Sequence, residues 1–250
     1  LSAQAGDDLR RTVINYTGFI QGRAVGEKDG KSVLLGSFDG GTVQVDGTLD
    51  ASAPHGGDGG FIDTSGAHVQ VADTAKVTTA AQNGKTGTWL IDPTDFTIRA
   101  GSAARTDSGI GADTLTNNLA NTSVTLQTVA AGAENGDIHV NADVSYGQNK
   151  LTLNAHGNIN INATVSVNGS GTLDLNYGGT IGNSAAVPVA GSTLNVGGQV
   201  NFAQTGAGLL AVNGHDYTVI NSLAALQDIG TPDKLAGRYA LGANIDASAP

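Results

Sequence analysis

Residues 136–145, GDIHVNADVS, align without a gap on residues 157–166, GNININATVS, so that Ile138 matches Ile159 and Val140 matches Ile161 at a spacing of 21 residues. A step of 22 residues joins Leu151 and Leu153 of KLTLNAHG to Leu173 and Leu175 of TLDLNYGG, and a further 21 lead to Leu194 and Val196 of TLNVGGQ. A repeat of this length constrains the fold strongly. Each unit is one supersecondary piece that cannot bury its apolar face alone and has to stack on its neighbours.

Inside each unit short alternating runs are separated by Asn and Gly. In LTLN, alternation puts Leu151 and Leu153 on one face and Thr152 and Asn154 on the other. Strands of three to five residues become stable when one pass of the chain lies ~4.8 Å above the last, which buries a continuous apolar column and pairs every backbone edge. The expected fold is all-β, a parallel β-helix (β-solenoid) with short helical decorations. Composition agrees: aromatics are only 4% of residues, so the column has to be Val, Ile, Leu and Ala, and 37 glycines suit tight corners.

A looser form of the pattern precedes it. Residues 41–52, GTVQVDGTLDAS, resemble residues 67–79, AHVQVADTAKVTT, with GGFIDTSG between them. Val43, Val45, Val69 and Val71 are the expected inward residues there, and the glycine-rich FDGG and HGGDGG are expected turns of positive φ. Two stretches break the strand rhythm. In residues 107–127 Leu115 and Leu119 lie four apart, which predicts a helical turn capped by Asp113. In residues 220–248 Ser222 is the expected N-cap, Leu223 and Leu226 the apolar face, and Gly230-Thr231-Pro232 the stop. Both are expected to lean on the side of the stack or to cover its edge. The organisation read from this is glycine-rich strands over 1–106, regular 21-residue units over 107–216, and a helix-plus-strand decoration over 217–250. A chain that begins at Leu1 without Met reads as an internal piece of something longer.

Residues 59–98, GGFIDTSGAHVQVADTAKVTTAAQNGKTGTWLIDPTDFTI, resemble a recurrent segment of the filamentous haemagglutinin-like large exoproteins exported by two-partner secretion. In that family a glycine-rich turn, a GGF(I/V)(E/D)TSG element and a GTWL(I/L)DP element follow in this order. YTVINSLAALQDI and LAGRYALGANIDAS, within residues 217–248, resemble another segment of the same proteins. The resemblance implies a right-handed parallel β-helix, an internal stalk segment, a bacterial cell-surface or secreted location, and an outer-membrane transporter as partner during export.

The lone tryptophan, Trp89, stands beside Asp92, Pro93 and Asp95. Paired carboxylates next to an aromatic ring can serve glycoside hydrolysis. Asp followed by Pro is also a common opening of a β-turn, with the carboxylate accepting backbone N–H groups. The second reading is preferred, so these four residues are expected to form a structural corner. Asp39, Asp46, Asp50, Asp58 and Asp63 lie near glycine-rich turns, yet no regular calcium-binding nonapeptide repeats, and turn chemistry accounts for them. The histidines show no HxH or HExxH spacing. Asn154, Asn158, Asn160, Asn162, Asn176 and Asn195 recur near strand ends, where they can bond from pass to pass or occupy left-handed corners. No catalytic, cofactor-binding or metal-binding residue is expected.

A net charge of −10 without clustered Lys or Arg argues against nucleic acid as a partner, and no apolar run approaches the length of a membrane-spanning helix. The expected function is a non-enzymatic adhesive segment contacting a glycan or protein receptor on host or neighbouring cells. A β-helix enzyme acting on polysaccharide and a subunit that stacks end to end into filaments are the alternatives.

Overall fold

The computed structural model describes residues 2–3, 14–21, 33–37, 41–101, 107–179 and 191–248. Among the expectations above, Asp39 and the rest of the FDGG turn up to Gly40 lie outside the described residues. The chain is mostly β, built on parallel sheets with two short helices. It opens with β1 (Ser2–Ala3), β2 (Ile14–Gln21), β3 (Val33–Ser37) and β4 (Thr42–Asp50). Next come β5 (Phe61–Ser65), β6 (His68–Val71) and β7 (Lys76–Thr78). They are followed by β8 (Thr88–Asp92), β9 (Phe96–Arg99), β10 (Gly109–Gly111) and the helix α1 (Ala112–Leu119). Three regular passes follow: β11 (Ser123–Gln127), β12 (Ile138–Val140) and β13 (Val144–Tyr146); β14 (Lys150–Asn154), β15 (Ile159–Ile161) and β16 (Thr164–Val167); β17 (Thr172–Asn176), β18 (Leu194–Val196) and β19 (Gln199–Phe202). The described chain closes with β20 (Gly206–Val212), β21 (His215–Ile220), α2 (Leu223–Asp228) and β22 (Tyr239–Leu241).

The first sheet orders β1-β3-β5-β8-β11-β14-β17-β20-β21-β22, the second β18-β15-β12-β9-β10-β6-β4-β2, and the third β13-β16-β19. Each regular pass therefore lays one strand on each sheet in the same order before starting again. β4 serves two directions: Thr42–Val45 pair with β6 and Thr48–Asp50 with β7, and the bend between them falls at Gly47, whose φ of 89° a side chain would strain. Glycines Gly59 and Gly87 have a different role, close backbone approach. A Cβ on Gly59 would stand 1.7 Å from the Thr79 carbonyl oxygen, and one on Gly87 would stand 1.9 Å from that of Gly60.

Like residues stack on like in parallel register. Val43 lies on Val69 and Val45 on Val71, Ile138 on Ile159 and Val140 on Ile161, Leu151 on Leu173 and Leu153 on Leu175, and all twelve are buried. The last step of the sequence register is corrected. Leu194 and Val196 do not follow Leu173 and Leu175; they pair with Ile159 and Ile161 on the second sheet, and the strand above Leu173 is β20, through Leu210. The step from Asn160 to Asn195 is 35 residues instead of 21, and an insertion of arbitrary length resets the register that alternation alone suggests. Val196 is also not core. It is 49% exposed and Leu194 half-buried, because among the described residues β18 is the end strand of its sheet and no further strand lies over it.

The helices differ from expectation in detail. α1 starts after Gly111, which makes no side-chain cap bond, and Asp113 sits exposed in the first turn; Leu115 and Leu119 are fully buried. Rather than leaning on the outside, α1 packs against both β7 and β13 and occupies the gap between them. Ser222 does cap α2, accepting from the Ala225 N–H at 3.2 Å. α2 buries none of its residues, and Leu226 is 42% exposed, since among the described residues no strand packs over the helix that follows the β20–β21 hairpin.

Candidate functional site

The corner after β8 is where the sequence concentrates its one tryptophan and a pair of aspartates. Trp89 sits on the inward face of β8, between Ile62 of β5 and Val124 of β11, and is fully buried. A buried indole N–H needs an acceptor. It finds the Thr64 hydroxyl at 3.0 Å, which in turn donates to the Leu90 carbonyl at 3.0 Å. Thr64 is the residue that sequence reasoning missed, although the signal was present: alternation from Ile62 places a hydroxyl at an inward position.

Asp92 ends β8 opposite Ser65 of β5. Its Oδ2 accepts from Gln127 Nε2 at 3.1 Å, while its Oδ1 is buried without a hydrogen-bond partner. Burial pushes the carboxyl above the usual carboxylate range; the Gln127 hydrogen bond opposes this, and the charge of Asp63 adds to it. Asp63 itself accepts from the Ser65 hydroxyl. Pro93 and Thr94 are buried. The turn is tied to the pass below, with the Gly66 N–H donating to the Asp92 carbonyl at 3.1 Å and the Thr94 N–H to that of Ala67 at 3.1 Å. It is tied to the pass above by the Val129 N–H, which donates to the Pro93 carbonyl at 3.2 Å, and Glu134 meets the Thr94 hydroxyl.

Asp95 turns away from Asp92's partners and accepts the Asp137 N–H at 2.7 Å. Asp137 accepts the Asn158 N–H at 2.6 Å, and Asn158 accepts the Thr193 N–H at 2.8 Å. One polar side chain per pass thus holds the backbone of the next at the entrance to the second sheet. The other asparagines bond likewise: Asn176 to Asn154 at 2.7 Å, Asn162 to Asn141 at 2.8 Å and Asn195 to Asn160 at 2.8 Å. Among the described residues other than glycine, the left-handed positions belong to Asn149 and Asn213 rather than to these asparagines.

The remaining candidates are dispersed. Asp50 accepts from the Ser52 N–H at 2.9 Å, Asp58 from the Lys85 N–H at 2.7 Å, and Asp46 from the Thr74 hydroxyl. Among the described residues no three His, Cys, Asp or Glu side chains converge where they could hold a metal ion. No helix of the described residues is long and apolar enough to cross a membrane. Between β7 and α1 lies a groove of about 570 Å³ bordered by Asp73, Lys76, Thr78, Asn117 and Asn121. Beneath it Asn118, which the sequence did not single out, is buried and accepts the Val77 N–H at 2.6 Å while donating to the Ala75 and Thr114 carbonyls at 3.1 and 2.8 Å.

No family model, no curated protein and no solved structure matches the chain.

Proposed function

We propose that this chain is a stalk segment of a secreted, non-enzymatic surface exoprotein of the filamentous haemagglutinin-like, two-partner-secretion kind, folded as a right-handed parallel β-helix and acting in cell adhesion or biofilm contact. The observation that carries the reading is the in-register stacking of Ile138 on Ile159 and Leu151 on Leu173, repeated on successive passes by side-chain bonds such as Asn176 to Asn154. Such a stack grows by addition of passes and gives reach and stiffness. Export through an outer-membrane transporter and a glycan or protein receptor on the target cell belong to the same reading. Solution scattering from the chain is expected to give a rod. Binding to a glycan array and to cells, with a neighbouring stalk segment as control, reads the adhesive role. A compact globule contradicts the fold, and turnover of an acidic polysaccharide contradicts the non-enzymatic assignment.

A second reading, a subunit that stacks end to end into filaments, is favoured by the edge of β18, over which no strand of the described residues lies and where Val196 is exposed. Sedimentation that grows with concentration supports it, and a constant monomer excludes it.

A further inference from the structure

We propose that the Asp92–Pro93 peptide bond is a self-scission site, at which the Asp92 side chain cuts its own backbone once, in mild acid, into pieces 1–92 and 93–250. It is the chain's only Asp–Pro pair. The inference stands on the geometry of the corner and is independent of the adhesive reading.

Three features of the corner bear on the bond. The two carboxyl oxygens are unequal: Oδ2 is anchored by Gln127 at 3.1 Å, and Oδ1, buried and without a partner, is left as the oxygen able to attack. Its attack on the Asp92 carbonyl carbon closes a five-membered ring, so the nucleophile is held next to its target by covalent connection as well as by packing. The carbonyl that would be attacked accepts the Gly66 N–H at 3.1 Å, a fixed donor aimed at the oxygen on which negative charge develops. Finally, Pro93 is buried and its carbonyl is held by the Val129 N–H, so the leaving nitrogen belongs to a fixed ring.

The balance is simple. The Asp92 side-chain oxygen bonds to the Asp92 carbonyl carbon, the bond from that carbon to the Pro93 nitrogen breaks, and the carboxyl proton ends on the departing secondary amine. Water then opens the cyclic anhydride, leaving Asp92 with two carboxyl groups and Pro93 as a new amino terminus. The net reaction is hydrolysis, with no oxidant or cofactor. Burial keeps the Asp92 carboxyl protonated to higher pH than an ordinary aspartate, so the required proton is present in milder acid. The acidic groups around the turn are Asp63 on β5, which acts in the same direction, Glu134 against Thr94, and Asp95 and Asp137, which bind backbone N–H groups.

The test holds the full chain at about pH 4 and about pH 7, folded and in urea, and follows intact mass over time, with circular dichroism at each pH reporting the folded state. Fragments ending at Asp92 and beginning at Pro93 are expected, formed at least ~10-fold faster from the folded than from the unfolded chain at the acidic pH. Asp92→Asn and Pro93→Ala chains are expected to stay whole, the first removing the nucleophile and the second the ring nitrogen. A folded wild-type chain that remains intact overturns the proposal, as does an Asp92→Asn chain cut at the same bond. Equal rates in the folded and unfolded chains reduce the cut to the ordinary lability of an Asp–Pro pair and overturn the role given to the fold.

Discussion

Thr64 and Trp89 show how a single polar side chain can be accommodated inside a column of aliphatic residues: the hydroxyl accepts from the indole and donates to the Leu90 carbonyl, so both the indole N–H and the hydroxyl are satisfied. Asp92, two residues past Leu90, is the opposite case, a half-buried carboxylate with one oxygen unpaired. Its raised pKa means that the folded chain binds that proton more tightly than the unfolded chain does. The associated stability is fully present below the unfolded pKa and is lost as pH rises through the folded value. Asp92→Asn is therefore expected to raise the thermal midpoint at neutral pH, by no more than about 1 kcal/mol of stability because the site is partly solvated, and to change nothing at about pH 3. Thermal melts of both chains across that range check it; a destabilised variant at neutral pH would show that the charge itself holds the corner.

At the scale of elements, α1 is the informative piece. Parallel strands leave unpaired N–H and C=O groups along an edge, and the edge of β7 faces a helix where another strand is due. Asn118 supplies the missing partner. Its amide accepts from Val77 and donates to Ala75, reproducing with one side chain the exchange a neighbouring strand would make. On the far side Asn149 Nδ2 donates to the Leu119 carbonyl at 2.6 Å, so the helix end is tied to the turn between β13 and β14. Asn118→Ala leaves the Val77 N–H and the Ala75 carbonyl buried and unpaired, an expected loss of about 2–4 kcal/mol. Denaturant unfolding measures the loss, and faster hydrogen exchange at the Val77 amide locates it. The helix itself was legible from Leu115 and Leu119 four apart, because both are buried on one side of it. Its place inside the stack was not, since periodicity gives a helix an apolar face without saying which strand it replaces.

Across the whole molecule, each pass touches mainly the one before and the one after, so stability is expected to fall toward the ends of the stack. Amides of β12, paired on both sides, are expected to exchange at least about tenfold more slowly than those of β18, which among the described residues is paired on one side only. Uniform protection across the two strands would point to a single cooperative unit. The same dependence on neighbours explains what the sequence revealed and what it hid. Ile138 and Ile159 disclosed their stacking because nothing is inserted between their passes, and Val43 and Val69 did so through matching VQV triplets. Leu194 carried the right alternation, but the longer connection before it moved it to another sheet, and residue type alone cannot place Val196 inside when no strand of the described residues stacks over it. The corner was legible as a turn from Asp92-Pro93, whereas the partnership with Gln127 required knowing which passes are adjacent. The helix between β7 and β13 also has a mechanical meaning. If the described passes are pulled apart along the stacking direction, tension crosses this level through the strand ladders on two sides, but on the third it crosses through a short helix and its side-chain bonds, among them those of Asn118 to Val77 and of Asn149 to Leu119. Rupture under load is directed to that level, which acts as a built-in fuse between ladders that are elsewhere paired strand to strand.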